Sequence, residues 1–81
     1  MRVEIRKSAI KDLRKINPEV RNRLHGKIHS LSDFPDVSNI KKLTNFEPAY
    51  RMRVGGYRIL FDVDEDVIYI GRVLHRKDSY K

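Results

Sequence analysis

Arg51 and Arg53 stand two residues apart in Tyr50-Arg51-Met52-Arg53-Val54, and Arg58 follows just across Gly55-Gly56. In an extended chain, alternation puts Arg51 and Arg53 on one face, opposite Tyr50, Met52 and Val54. A tight turn at the glycine pair returns the chain with Arg58 on the same polar face. Three guanidinium forks in one small area of sheet match a phosphate bidentately. They would also stabilise the extra negative charge of a phosphoryl-transfer transition state. The same spacing also describes a solvated strand face that keeps an exposed sheet from aggregating.

A second grouping, His75-Arg76-Lys77-Asp78-Ser79-Tyr80, puts an imidazole, a guanidinium and a phenol within a few residues. Imidazole titrates near neutrality and carries protons; tyrosine stacks on a splayed base. Taken alone, the stretch is equally a polar chain end. His25 and His29, four apart, lack a HExxH arrangement and a third ligand, and read as ordinary helix surface. There is no cysteine, which excludes disulfides, thiolate-bound zinc and thiol catalysis. No glycine-rich phosphate loop precedes a helix, and the serines lack a nucleophile-elbow context. No metal and no cofactor is expected.

The elements that must position these residues follow from periodicity and punctuation. Met1, Val3 and Ile5 alternate with Arg2, Glu4 and Arg6, the pattern of a half-buried strand. Ser8 offers an N-cap oxygen for a helix whose stripe is Ala9, Leu13 and Ile16 with Ile10 beside it. Asn17-Pro18-Glu19 starts a second helix, with Val20, Leu24, Ile28 and Leu31 as its apolar stripe, ending near Ser32. Residues 33 to 47 read as an irregular surface connection. Strands follow at 50–54, from Tyr57 to Val63 and from Val67 to His75, with turns at Gly55-Gly56 and Asp64-Glu65-Asp66. The last strand is apolar on both faces for most of its length, as a central strand should be. The expected fold is α+β: a small antiparallel sheet with an N-terminal helical hairpin on one face, in the order β-α-α-β-β-β. The other face is left for the arginines.

The 81 residues are read as one domain, 1–81, too short to enclose a large cofactor, so a site should be a surface groove. Lys and Arg number 18 against 11 Asp and Glu, a net charge of +7 that points to a polyanionic partner. Residues 1 to 32 hold nine of the basic residues against three acids, so the excess lies in the helical part. No apolar run approaches the roughly 18 residues that would cross a bilayer. Met1-Arg2-Val3-Glu4 is unlike a signal peptide, so no membrane contact and a cytoplasmic location are expected.

The stretch Tyr50-Arg51-Met52-Arg53-Val54-Gly55-Gly56-Tyr57-Arg58-Ile59-Leu60-Phe61, followed by Arg72-Val73-Leu74-His75-Arg76-Lys77-Asp78-Ser79-Tyr80, resembles the signature of the RelE/ParE superfamily of toxins from type II toxin–antitoxin systems. The likeness extends to Leu13-Arg14-Lys15-Ile16-Asn17-Pro18-Glu19-Val20 and to Lys42-Leu43. In the RelE branch it implies a ribosome-dependent endoribonuclease that cleaves mRNA in the A site without a metal. The ribose 2′-hydroxyl attacks the adjacent phosphate, and an acidic or amphipathic antitoxin neutralises the toxin in a hetero-oligomer.

Carried over by position, the resemblance makes Arg58 the grip on the scissile phosphate, Arg76 a second phosphate contact and Tyr80 the residue that stacks on, or moves a proton near, the reacting nucleotide. Arg51, Arg53 and Arg72 are placed among the substrate contacts. Arg51 and Arg53 stand where the best-studied branch has lysines, one of them a proposed base; arginine stays protonated and is a poor base. His75 is then the expected proton-transfer residue. Lys11, Arg14, Lys15, Arg21, Arg23 and Lys27 would suit ribosomal RNA backbone, or simply keep the helices soluble. Two alternatives stand beside this reading. One is a ParE-like toxin that inhibits DNA gyrase by binding, and the other a degenerate toxin that only binds its antitoxin.

Overall fold

The structure, a computed structural model, describes residues 1–43 and 48–77. Strand β1 (Arg2–Ile5) leads into helix α1 (Lys7–Arg14) and helix α2 (Pro18–Ser30), then a 3₁₀ turn at Leu31–Asp33. Strands β2 (Ile40–Lys42), β3 (Tyr50–Val54), β4 (Tyr57–Asp64) and β5 (Val67–His75) complete the sheet. Its five strands run in the order β1-β5-β4-β3-β2.

The α+β class and the helical hairpin are as expected, and the sheet differs in two respects. β1 pairs with β5 in parallel, so the sheet is mixed. Alternation identifies the buried face of a strand but not the direction of its neighbour. The connection expected to be irregular also contributes β2, antiparallel to β3 with Lys41 opposite Arg51. Three residues with one apolar side chain give no periodic signal; the pairing comes from β3.

The helix starts show local chemistry at work. Asn17 Oδ1 accepts the Glu19 amide at 2.9 Å with Pro18 in the first turn, a cap of about 1 kcal/mol. Ser8 does not cap α1, whose N-cap is Arg6; its hydroxyl donates instead to the Gly71 carbonyl at 2.5 Å. Ile10 faces outward at 38% exposure, not into the stripe.

Ala9, Leu13, Ile16, Leu24, Ile28 and Leu31 pack on Met52, Ile59, Phe61, Ile68, Ile70 and Val73 from one face of the sheet. Phe61 is fully buried; Tyr50 stacks on it at 5.4 Å and Phe34 meets it edge-on at 5.9 Å. The register slips at Leu60/Phe61: Phe61 lies opposite Ile70 and Leu60 opposite Arg72, so Gly71 is the extra residue of a bulge. The bulge puts Ile70 and Val73 on the same face despite their odd spacing, and leaves Arg72 on the other.

Candidate phosphate-binding face

The face away from the helices carries the arginines. Arg53 lies directly opposite Arg58, Arg51 opposite Leu60, and Arg58 in turn opposite Leu74. Lys41 adds a fourth cation beside Arg51. Directly opposed residues have Cα atoms about 4.5–5.5 Å apart, and like charges so placed repel. The structure therefore brings Arg51, Arg53 and Arg58 together on one patch.

Their environments differ. Arg53 is exposed, Arg51 half-buried and Arg58 only 5% exposed. The Arg58 guanidinium makes one long bond, Nη1 to the Tyr57 carbonyl at 3.3 Å, and its buried Nε has no partner; nor has the Nε of Arg51. A buried donor left unpaired costs about 1–3 kcal/mol, more when charged, and here two cations stand side by side as well. An anion seated on the patch would offset the repulsion between the cations. Asn39, Ile40, Lys41, Arg51 and Arg53 line a cleft of about 220 Å³ at its edge.

Arg72 belongs to a different arrangement. Its Nε and Nη2 donate to the two carboxylate oxygens of Asp12 at 2.8 and 3.1 Å, and Asp12 also accepts the Val73 amide at 2.9 Å. The hydrogen bond to Asp12, aided by its negative charge and opposed by desolvation, holds this guanidinium above its ordinary value. Arg72, expected among the substrate contacts, is thus turned to α1, with its side chain still about half exposed. The signal for Asp12 in the sequence is its position as the sole acid of α1.

His75 is not on the arginine face. It lies opposite Tyr57, on the side that carries Ile59 and Val73, with the two rings edge to face at 5.2 Å. It borders a cavity of about 330 Å³ shared with Asp12, Lys15, Ile16, Tyr57 and Arg72. Arg76 follows at the end of the sheet, its amide donating to the Gly56 carbonyl at 2.7 Å. His75 and Arg58 therefore meet only around the sheet's end, beside the Gly55-Gly56 turn. Tyr80 lies outside the described residues.

On the helices, Lys11, Arg14, Lys15, Arg23 and Lys27 are exposed. Arg21 is half-buried and donates through Nη2 to the Ile16 carbonyl at 2.8 Å, closing the end of α1. Lys7, Ile10, Lys11 and Arg14 border a hollow of about 230 Å³. His25 is half-buried and His29 exposed; among the described residues no three His, Asp or Glu cluster in a way that could hold a metal. No described helix is long and apolar enough to cross a membrane.

A small mixed sheet, a helical hairpin on one face and a row of cations on the other make a basic α+β module. Residues 3–80 match the family model of the ParE toxin of type II toxin–antitoxin systems, parDE. Toxin RelE3 of Methanocaldococcus jannaschii is 36% identical over 84 residues, covering 99% of this chain and 96% of its own. Two solved complexes have the same fold at TM-score 0.79. The RelB–RelE antitoxin–toxin complex of Methanococcus jannaschii is 34% identical, covering 94% of this chain and 93% of that one. The toxin–antitoxin complex RelBE2 of Mycobacterium tuberculosis is 30% identical, covering 93% and 96%. The chain belongs to the RelE/ParE superfamily and is a RelE-like toxin of a type II toxin–antitoxin system.

Proposed function

We propose that this toxin is a metal-independent endoribonuclease that acts in the cytoplasm, cleaving mRNA in the ribosomal A site and so stopping translation. The observation that carries the reading is Arg58: a guanidinium buried to 5% exposure, with an orphan Nε, beside Arg53 on the sheet face away from the helices. Such a group is costly to the fold unless a phosphate completes it.

In the proposed reaction the ribose 2′-oxygen forms a bond to phosphorus as the bond to the 5′-oxygen breaks. One proton leaves the 2′-hydroxyl and one reaches the departing oxygen, leaving a 2′,3′-cyclic phosphate and a free 5′-hydroxyl. Arg58 stabilises the added charge on the phosphoryl oxygens, while Arg51 and Arg53 hold the strand without acting as bases. For His75 and Arg76 to reach the same phosphodiester, the RNA must pass over the end of the sheet beside Gly56. Tyr80 takes the stacking or proton-transfer role that the family resemblance implies, and the basic helix residues face ribosomal RNA. The antitoxin is a protein of opposite charge that covers this basic surface, as RelB is bound to RelE in the solved relatives.

The test is mRNA integrity in a purified translation system, with 5′ ends mapped. Wild-type protein should cut within A-site codons only when ribosomes are present, and Arg58→Ala should lose about 10²–10³ in rate. Uncut mRNA with translation unaffected overturns the proposal. The matched family's ParE description favours one second reading, inhibition of DNA gyrase by binding. Intact mRNA together with blocked supercoiling would establish it.

A further inference from the structure

The Gly55-Gly56 pair reads in the sequence as a hairpin turn, and only one of its members needs to be glycine for that. Gly55 has φ +57°, a backbone region that side chains disfavour, whereas Gly56 has no positive φ. What Gly56 lacks is a Cβ, and the space is taken: a Cβ there would lie 3.1 Å from His75 Nε2, 3.6 Å from Cδ2 and 3.8 Å from Cε1. The imidazole thus rests on the bare backbone of Gly56. Tyr57 meets the ring edge to face at 5.2 Å, and on the far side the Lys77 amide donates to Nδ1 at 3.3 Å. The Gly56 carbonyl takes the Arg76 amide at 2.7 Å, so one residue fixes both the ring and the backbone that follows it.

We propose that Gly56 is a positioning residue that holds His75 as the neutral Nε2–H tautomer, so that His75 offers RNA a hydrogen-bond donor and is not the proton carrier. The reason is donor–acceptor arithmetic. Nδ1 accepts an amide N–H and so must keep its lone pair, which leaves the ring's single proton on Nε2. A base at Nε2 would need the proton on Nδ1, and an imidazolium would need one there too; either sets two donors, Nδ1–H and the Lys77 amide, against each other. A neutral N–H donor stabilises charge developing on a phosphoryl oxygen without transferring its proton. The part concerning RNA rests on the endoribonuclease reading; the tautomer and the role of Gly56 do not.

Two measurements keep these apart. Nitrogen-15 NMR of the protein alone, at a pH of about 8 where a histidine is ordinarily neutral, should show His75 protonated at Nε2 and bare at Nδ1. Gly56→Ala, which imposes no backbone strain, should mix the two tautomers. A proton on Nδ1 in the wild type, or an unchanged ring in Gly56→Ala, overturns the positioning role whether or not RNA is cut. In single-turnover cleavage on programmed ribosomes, Gly56→Ala should fall about tenfold with ribosome binding unchanged. His75→Gln, which keeps a donor but cannot carry a proton, should hold most of the rate that His75→Ala loses. If His75→Gln is as slow as His75→Ala, the donor role is wrong and His75 moves protons after all.

Discussion

Arg58 and Arg72 sit on neighbouring strands of the same sheet face and have opposite surroundings. Arg72 is half-exposed and ends in a two-pronged contact with Asp12, which also takes the Val73 amide. Arg58 is buried, makes one long bond to the Tyr57 carbonyl and has a neighbour of its own charge directly opposite. The first arrangement is a seam. It fastens α1 along the part of β5 beyond β1, with Ser8 and Asp12 meeting polar atoms that no strand pairs there. The second is unfinished by the protein itself. One guanidinium is matched by a carboxylate and the other is not, although both are arginines and their strand positions share a sheet face.

The sharpest way to break the comparison is Arg58→Met, which replaces the buried guanidinium with an unbranched, uncharged side chain. Cleavage should drop about 10²–10³-fold, while thermal unfolding stays level or moves upward, because the variant loses a repulsion and an orphan donor. A fall in melting temperature with cleavage retained would make Arg58 part of the scaffold. Asp12→Ala should do the reverse. Losing a charged partner and leaving the Val73 amide unpaired should cost about 2 kcal/mol, or roughly 8–16 °C in a domain of this size. Differential scanning calorimetry gives that value, and cleavage per folded molecule should be unchanged. The smallest effect belongs to Lys41→Ala at the rim. Titrating single-stranded RNA at several salt concentrations should show the slope of log affinity against log salt reduced by about 0.7, one phosphate contact.

What the sequence disclosed and what it withheld divide along the same physical line. Alternation around Gly55-Gly56 places Arg51, Arg53 and Arg58 on one face, and Asn17-Pro18 marks the second helix; both are local statements. The side on which His75 falls is not local, because the Gly71 bulge shifts the register by one residue between the Phe61–Ile70 and Leu60–Arg72 pairs. The depth of Arg58, the partnership of Arg72 with a residue 60 positions earlier and the existence of β2 all depend on neighbours brought in by tertiary pairing. Residue types showed where cations would gather. Which of them would be left without a partner was decided by packing.

The pairing of β1 with β5 also bears on when the fold can form. The first strand made finds its strand partner, Val67 to Ile70, in the last strand made, and α1 is fastened to Gly71 and Val73 just beyond. A chain still emerging from the ribosome therefore has neither partner for its opening segments, and Arg58 has no β5 beside it. The fold that carries Arg58 is thereby deferred until β5 itself has been made and can pair with both β1 and β4.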